Sequence, residues 1–272
     1  MKAPSFAYAK PRSLAEAFDL LERPGAKALA GGQSLIPSLN MRLSSPELLV
    51  DINGLEELRG ISLERGVVRI GALTSHAEIE RSEVIRKHLP LLAEAVRHVA
   101  HPAIRNRGTI GGSLALADPA AEYPACVLAM QGVIFVRGGR GARRIAAQDF
   151  FRGLFETGLE PGELVAAVEV TAQLKDERTA FLELARRHGD YAIIGLAAFA
   201  SSSGARRLAY FGAGDRPVLA LGAALARDLE AAKRALDRDL RPPADLYHSS
   251  ATKLHLAKVL LERAWIGLSK SS

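Results

Sequence analysis

Ala30-Gly31-Gly32-Gln33-Ser34-Leu35 and Thr109-Ile110-Gly111-Gly112-Ser113-Leu114 decide how this chain is read. Each joins two glycines to a small hydroxyl and is flanked by apolar residues. A glycine pair lets backbone N–H groups approach a ligand with no Cβ in the way, and successive N–H donors in a turn make a concave anion site. Either stretch alone is ordinary chain punctuation. Two of them, far apart in sequence, read as two halves of one cradle suited to a pyrophosphate. The second runs on into Leu114-Ala115-Leu116-Ala117-Asp118-Pro119-Ala120-Ala121-Glu122-Tyr123-Pro124, which sets two acids and two prolines just beyond the glycines.

Outward from these loops, apolar periodicity gives an α/β beginning. Leu14 to Leu21 reads as an amphipathic helix, Ala26 to Ala30 as a short strand, and Ile36 to Met41 as a helix opening directly after the first loop, its N-terminus adding partial positive charge to the cradle. Glu47 to Ile52 and Gly66 to Gly71 read as strands, with Asn53-Gly54 as a turn. Ser75 to Arg81 and Leu89 to Val99 are helical by spacing, and Ala125 to Met130 continues as a helix after the second loop. Val133 to Val136 and Leu164 to Val170 read as strands. The polar stretch Thr171 to Arg178 is taken as a crossing between two domains. Beyond it, Ala180 to Ala185, Ala192 to Ser201 and Arg206 to Gly212 are expected strands of an antiparallel sheet, followed by helices over Leu221 to Leu236 and Ser249 to Leu268. Gly212-Ala213-Gly214-Asp215-Arg216-Pro217 lacks the third glycine of a dinucleotide fingerprint and reads as a strand-ending turn.

The chain has 272 residues, 48% hydrophobic and 24% charged, enough apolar material for one large or two modest cores. Its single cysteine, Cys126, excludes an internal disulfide and a cysteine-ligated iron-sulfur cluster within this chain. Met1-Lys2-Ala3-Pro4-Ser5 lacks the charged and apolar regions of a secretory signal, and no stretch reaches the ~18 apolar residues that span a bilayer. The expected location is the cytoplasm, with no membrane insertion. A net charge of +6 raises the question of nucleic acid, but the basic residues are dispersed. The densest run, Arg137-Gly138-Gly139-Arg140-Gly141-Ala142-Arg143-Arg144, has no interleaved aromatics and reads as a solvated hairpin or partner-facing loop, an RNA contact being the weaker alternative.

On these motifs the chain resembles the FAD-binding medium subunits of the xanthine oxidase group of molybdenum hydroxylases, among them the flavoprotein subunit of bacterial carbon monoxide dehydrogenase. The resemblance runs nearly end to end. It is carried by Pro4-Ser5-Phe6-Ala7-Tyr8, Pro11-Arg12-Ser13-Leu14-Ala15-Glu16-Ala17, the first glycine loop, Arg105-Asn106-Arg107-Gly108-Thr109-Ile110-Gly111-Gly112-Ser113, and Arg186-Arg187-His188-Gly189-Asp190-Tyr191-Ala192. It implies an α+β fold: an FAD-binding domain of the vanillyl-alcohol-oxidase type over residues 1–173, with α/β subdomains at about 1–55 and 56–173, then a C-terminal antiparallel sheet with helices over 178–272. It also implies FAD in this chain, a large molybdenum-cofactor subunit and a small subunit with two-iron two-sulfur clusters as partners, and a dimer of heterotrimers. In that reading this chain collects electrons from the iron-sulfur subunit and passes them to an external acceptor. The substrate pocket belongs to another chain.

The same resemblance implies cofactor contacts. The diphosphate is expected between the loops, on Ala30, Gly31, Gly32, Gln33, Ser34, Leu35, Thr109, Gly111, Gly112 and Ser113, with Ala117 beyond. Lys27 corresponds to a basic residue beside the first loop. Val99 and Ala100 are expected to line the adenine or ribityl path, Glu122 to stand near the flavin, Leu164 and Val165 to touch the cofactor through backbone, and Tyr191 to cover one face of the ring. One departure stands out: some relatives carry a lysine toward the flavin where this chain has Glu183. A carboxylate there disfavours an anionic reduced flavin and lowers its potential.

No rival active site assembles in the sequence. His98 and His101 are three apart, lack the i, i+4 spacing of a zinc protease, and take a structural or solvent role. Neither Gly-Gly-Ser stretch is a nucleophile elbow, which needs glycine on both sides of the serine. Cys126 lies on an apolar helix and is expected to be buried. No catalytic residue and no metal ligand is assigned. Two other classes stay open: a stand-alone FAD-dependent oxidoreductase, and a non-enzymatic binding subunit that has lost FAD.

Overall fold

The computed structural model describes residues 2–269. The ends of the expected domain spans, Met1 and residues 270–272, lie outside the described residues.

The chain opens with β1 (Ala7–Ala9), α1 (Leu14–Leu21), β2 (Ala26–Leu29), α2 (Leu35–Asn40) and β3 (Leu48–Asp51). Local signals set α1: the Ser13 hydroxyl accepts from Glu16 N, and the Glu16 carboxylate in return accepts from Arg12 N. Its buried stripe is Leu14, Ala17 and Phe18. The strands form a parallel sheet in the order β1-β3-β2. Central β3 reads Leu48-Leu49-Val50, continuously apolar because both of its faces are covered.

Two short turns lead to β4 (Ile61–Glu64), β5 (Val67–Gly71), α3 (His76–Arg81), α4 (Glu83–His88), α5 (Pro90–Ala95), α6 (Pro102–Arg105), α7 (Ile110–Leu116) and α8 (Glu122–Ala129). Then come β6 (Val133–Gly138), β7 (Gly141–Ala146), α9 (Ala147–Phe150), β8 (Phe151–Gly153), β9 (Glu156–Thr157) and β10 (Leu164–Thr171). The main sheet here is antiparallel, in the order β4-β5-β10-β6-β7. Its last strand in sequence, β10, therefore sits in the middle, and Leu164 to Val168 are all buried.

Polar residues 172–177 lead to β11 (Arg178–Ala185), β12 (Ala192–Ala200), β13 (Arg206–Phe211) and β14 (Val218–Leu219), an antiparallel sheet in that order. It is followed by α10 (Leu221–Ala224), α11 (Leu229–Asp239) and α12 (Ser250–Ser269). Both faces of this sheet are buried. Ile194, Leu196, Ala198, Leu208 and Tyr210 pack with residues of α11 and α12, while Phe181, Ala197, Ala209 and Phe211 join the core around α8. The period of two along each strand thus ties the C-terminal sheet to helices on one side and to the preceding unit on the other.

Three differences from the sequence reading have local causes. Leu89 to Val99 does not run as one helix; α5 stops at Ala95, and the chain turns through Ala100 at φ 45° so that the Arg105 guanidinium can donate to the Val99 and Ala100 carbonyls. Leu221 to Leu236 is broken into α10 and α11 because Asp228 caps the latter, accepting from Ala231 N at 2.7 Å. The second glycine pair lies inside the first turn of α7 rather than in an open loop.

Candidate cofactor cleft

The two glycine stretches meet in space. A Cβ on Gly31 would lie 2.1 Å from the Arg107 carbonyl oxygen and 2.8 Å from Gly108 Cα, so only glycine lets the first loop touch the backbone that leads into the second. Carbonyls of the first loop are turned to one side. Asn53 Nδ2 donates to Ala30 O at 2.8 Å and is itself anchored on Asp51 Oδ1, and Gln33 Nε2 donates to Gly31 O. The amides are left open. Gly31, Gly32, Gln33, Ser34 and Leu35 donate to no protein acceptor among the described residues, and Gly32 sits at φ 71°, the alternation that makes a run of N–H groups concave. The Ser34 hydroxyl, at the head of α2, also makes no capping bond.

The second stretch has a different character. Ile110 N donates to Thr74 O, Gly111 N to Ala72 O, and Gly112 N to the Thr109 hydroxyl that caps α7. A Cβ on Gly111 would lie 2.4 Å from the Ala72 Cβ. These residues lock α7 onto the end of β5 and the turn before α3. The open amides belong to the first loop, and the second supplies the wall against which it is set. The half-buried Ser113 side chain lies on this wall.

At its far end α7 stops at Ala117, buried and left-handed at φ 52°. Asp118 closes the next turn by accepting from Ala120 N, and Glu122 begins α8. Burial and the neighbouring Asp118 push the Glu122 carboxyl up to about 7. From the C-terminal sheet, the turn between β11 and β12 packs against the 99–101 corner, where a Cβ on Gly189 would lie 2.7 Å from Ala100 O. Tyr191 leaves this turn with its ring exposed, and its hydroxyl is pushed up by partial burial and by the carboxyls of Asp118, Glu122 and Asp190. Val99, Ala100, Asp118, Glu122 and Tyr191 are therefore brought into one neighbourhood.

Glu183 lies just behind them on β11. Its side chain is 2% exposed, its Oε2 has no hydrogen-bond partner, and His98 Nδ1 stands 3.9 Å away. Burial and Glu122 raise Glu183 to about 8, while burial and His188 lower His98. Burial thus favours the uncharged acid at this position over the anion that the sequence suggests. Beneath the second stretch, buried His76 is lowered to about 4 by burial and Arg105, and it packs edge-on against Tyr123.

The side chains of three other expected residues do not enter this group. Leu164 and Val165 are core residues of β10 on opposite sides of the sheet. Lys27 is exposed on the edge strand β2. A cavity of about 760 Å³ between β8 and the turn after β13 is lined by none of the expected cofactor residues. The Arg137 to Arg144 run forms the β6–β7 hairpin, with its arginines paired to Glu57, Glu160, Glu163 and Glu169. Sequence reading missed Asn53 and Arg105 as the side chains that shape the cleft. No helix among the described residues is long and apolar enough to cross a membrane.

An open row of amides with a free serine hydroxyl fits a pyrophosphate. The seven residues of α7, spanning about 10 Å, separate these amides' wall from the 118–122 turn. Comparison with known proteins agrees with this geometry. Residues 4–172 match the family described as the FAD binding domain in molybdopterin dehydrogenase. The chain is 38% identical to the 6-hydroxypseudooxynicotine dehydrogenase complex subunit alpha of Paenarthrobacter nicotinovorans, over 97% of this chain and 94% of that one. It is 36% identical to the glyceraldehyde dehydrogenase medium chain of Sulfolobus acidocaldarius, over 97% and 99%. A solved structure of carbon monoxide dehydrogenase from Hydrogenophaga pseudoflava, lacking the Mo-pyranopterin moiety of its molybdenum cofactor, superposes with a TM-score of 0.94 at 35% identity, covering 98% of both chains.

Proposed function

The chain belongs to the FAD-binding family of molybdopterin dehydrogenases, and from that premise we propose that it is the electron-transfer subunit of a heterotrimeric molybdenum hydroxylase. It receives electrons from a small iron-sulfur subunit, which is reduced in turn by a large molybdenum-cofactor subunit, and delivers them to an external acceptor. The observation that carries the cofactor half of this reading is the run of open amides from Gly31 to Leu35, set against Arg107 and Gly108. FAD, when bound, supplies a centre that takes electrons one at a time and gives them up singly or in pairs.

The residues have distinct parts in this reading. Gly31, Gly32, Gln33, Ser34 and Leu35 hold the pyrophosphate through backbone N–H groups and the Ser34 hydroxyl. Thr109, Gly111, Gly112 and Ser113 form the opposing wall, and Ala30 and Lys27 lead into the first loop. Val99, Ala100, Ala117, Glu122 and Tyr191 line the path and the ring end, and Leu164 and Val165, with side chains in the core, meet the cofactor through backbone atoms. The FAD-binding domain spans 1–173 and a C-terminal flavoprotein domain 178–272. Partner docking uses no nucleic-acid surface, which accords with the ion pairing of the basic hairpin. Two heterotrimers associate into the complete enzyme.

The visible spectrum of the purified chain, followed by acid release of bound nucleotide, tests the proposal. A flavin spectrum with FAD released in equal amount to protein is the expected outcome. A colourless chain that takes up no added FAD overturns it.

A further inference from the structure

Three elements bring Glu122 and Glu183 together: the start of α8, the inner face of β11, and the turn after α5. Along β11, Ala180, Leu182 and Leu184 face the C-terminal helices, whereas Phe181 joins the core around α8. By the same alternation Glu183 faces inward with Phe181. There its Oε2 is buried without a hydrogen-bond partner. An ionised carboxylate in that place is costly, and a second carboxylate at Glu122 makes it costlier.

Among the described residues, the groups that touch or perturb Glu183 include no arginine or lysine. From the turn after α5 comes His98, from the β11–β12 turn His188 and Tyr191, from α5 Glu94, from α8 Cys126, and from the turn after α7 Asp118. Arg105 and Glu80 reach only as far as Tyr123 beside Glu122.

We propose that Glu122 and Glu183 form an acid pair coupled to the charge of bound FAD, with Glu183 as a positioning residue that acts through Glu122. This rests on the reading that FAD occupies the cleft with its ring end at Glu122. In the oxidised protein above neutrality the pair holds one negative charge. When a one-electron donor has delivered two electrons and the cofactor has gained one proton, the cofactor carries one more negative charge. The pair then takes a second proton from water, forming an O–H bond on a carboxylate oxygen and cancelling that charge. Reoxidation returns both protons to water.

Anaerobic reductive titration of the FAD-loaded full chain with dithionite, read by flavin absorbance from about pH 6 to about pH 9, tests the pair. Below neutrality the pair is largely protonated in both states and Glu183→Gln follows the wild-type slope. Above it, each pH unit shifts the wild-type two-electron equilibrium by an extra factor of ten, about 30 mV per pH unit beyond the slope for one proton. Glu183→Gln, an uncharged isostere, removes the extra slope, and Glu122→Gln does the same from the other side. Equal slopes in wild type and both variants, with FAD bound in each, overturn the acid pair and leave the cofactor reading standing. Failure of all three proteins to take up FAD overturns both.

Discussion

Gly31→Ala tests the cleft at its narrowest point. The new Cβ lies 2.1 Å from the Arg107 carbonyl oxygen, 2.7 Å from its carbon and 2.8 Å from Gly108 Cα. All three are backbone atoms, so no side chain can swing away, and the loop must withdraw by about 1 Å to restore van der Waals contact. Hydrogen bonds to a charged group contribute about 1.5–3 kcal/mol each. Losing alignment of two amides therefore costs about 3–6 kcal/mol, a drop in FAD affinity of roughly a hundredfold to ten-thousandfold. Quenching of flavin fluorescence on titrating apoprotein measures this, with a thermal melt to establish that the variant is folded. Gly267→Ala, on α12 with nothing within 4 Å of its Cβ, is the control and keeps wild-type affinity. A folded Gly31→Ala protein that binds FAD within threefold of wild type refutes the reasoning, because the contact between the loops would then be irrelevant to the cradle.

Other perturbations separate architecture from binding. Gly111→Ala drives a Cβ into Ala72 and is expected to cost about 1–3 kcal/mol of folding stability, read by chemical denaturation. Arg105→Ala leaves the Val99 and Ala100 carbonyls without their guanidinium donor and frees the 99–101 corner, which faster amide hydrogen exchange at residues 99–101 detects. His76 has its pKa lowered from 6.5 to about 4, so the unfolded chain binds the extra proton. Its contribution, roughly 3 kcal/mol, is present above pH 6.5 and is lost as the pH falls toward about 4. Denaturant midpoints across that window fall more steeply for wild type than for His76→Phe. Glu183 has the opposite sign: its raised pKa favours the folded state at low pH, and that advantage disappears as pH rises through about 8. Glu183→Gln is accordingly more stable than wild type in alkaline solution.

Elements whose instructions are local were legible. Ser13 and Glu16 mark the start of α1 within one turn, and Leu14 to Leu21 is helical as its spacing predicts. The long buried strands announced themselves as apolar runs. By contrast, the three-residue β1 and the four-residue β4 and α6 are too short to carry a period, β7 reads Gly141-Ala142-Arg143-Arg144-Ile145-Ala146 with no apolar alternation, and β1 is placed by its pairing with the distant β3. The glycines of the second stretch suggested a loop, whereas close packing on Ala72 is what requires Gly111 within a helix. Asn53 read as a turn residue, yet its amide fixes the carbonyls of Leu29 and Ala30, a role set by tertiary placement alone. The departure at Glu183 was visible in sequence, but its protonation was not, because burial and Glu122 determine it.

Where this chain tolerates unsatisfied polar groups is informative. His76 Nδ1, the Tyr123 hydroxyl and Glu183 Oε2 are buried without partners, and all three lie around the start of α8. Each costs about 1–3 kcal/mol relative to a paired or apolar alternative. Such costs persist where function opposes the local optimum. Helix α8 is also the element that packs on β12 and β13 while its first residue borders the cleft. A change in charge at Glu122 is thus felt directly by the buried face of the C-terminal sheet through Glu183. The neighbourhood of Glu122 and the seam between the two halves share one electrostatic environment. A substitution that only disturbed packing at this seam, such as Phe181→Leu, is expected to lower the melting temperature while leaving the pH dependence of the flavin potential intact. Loss of the extra pH slope in Phe181→Leu would mean that packing, not the acid pair, sets it.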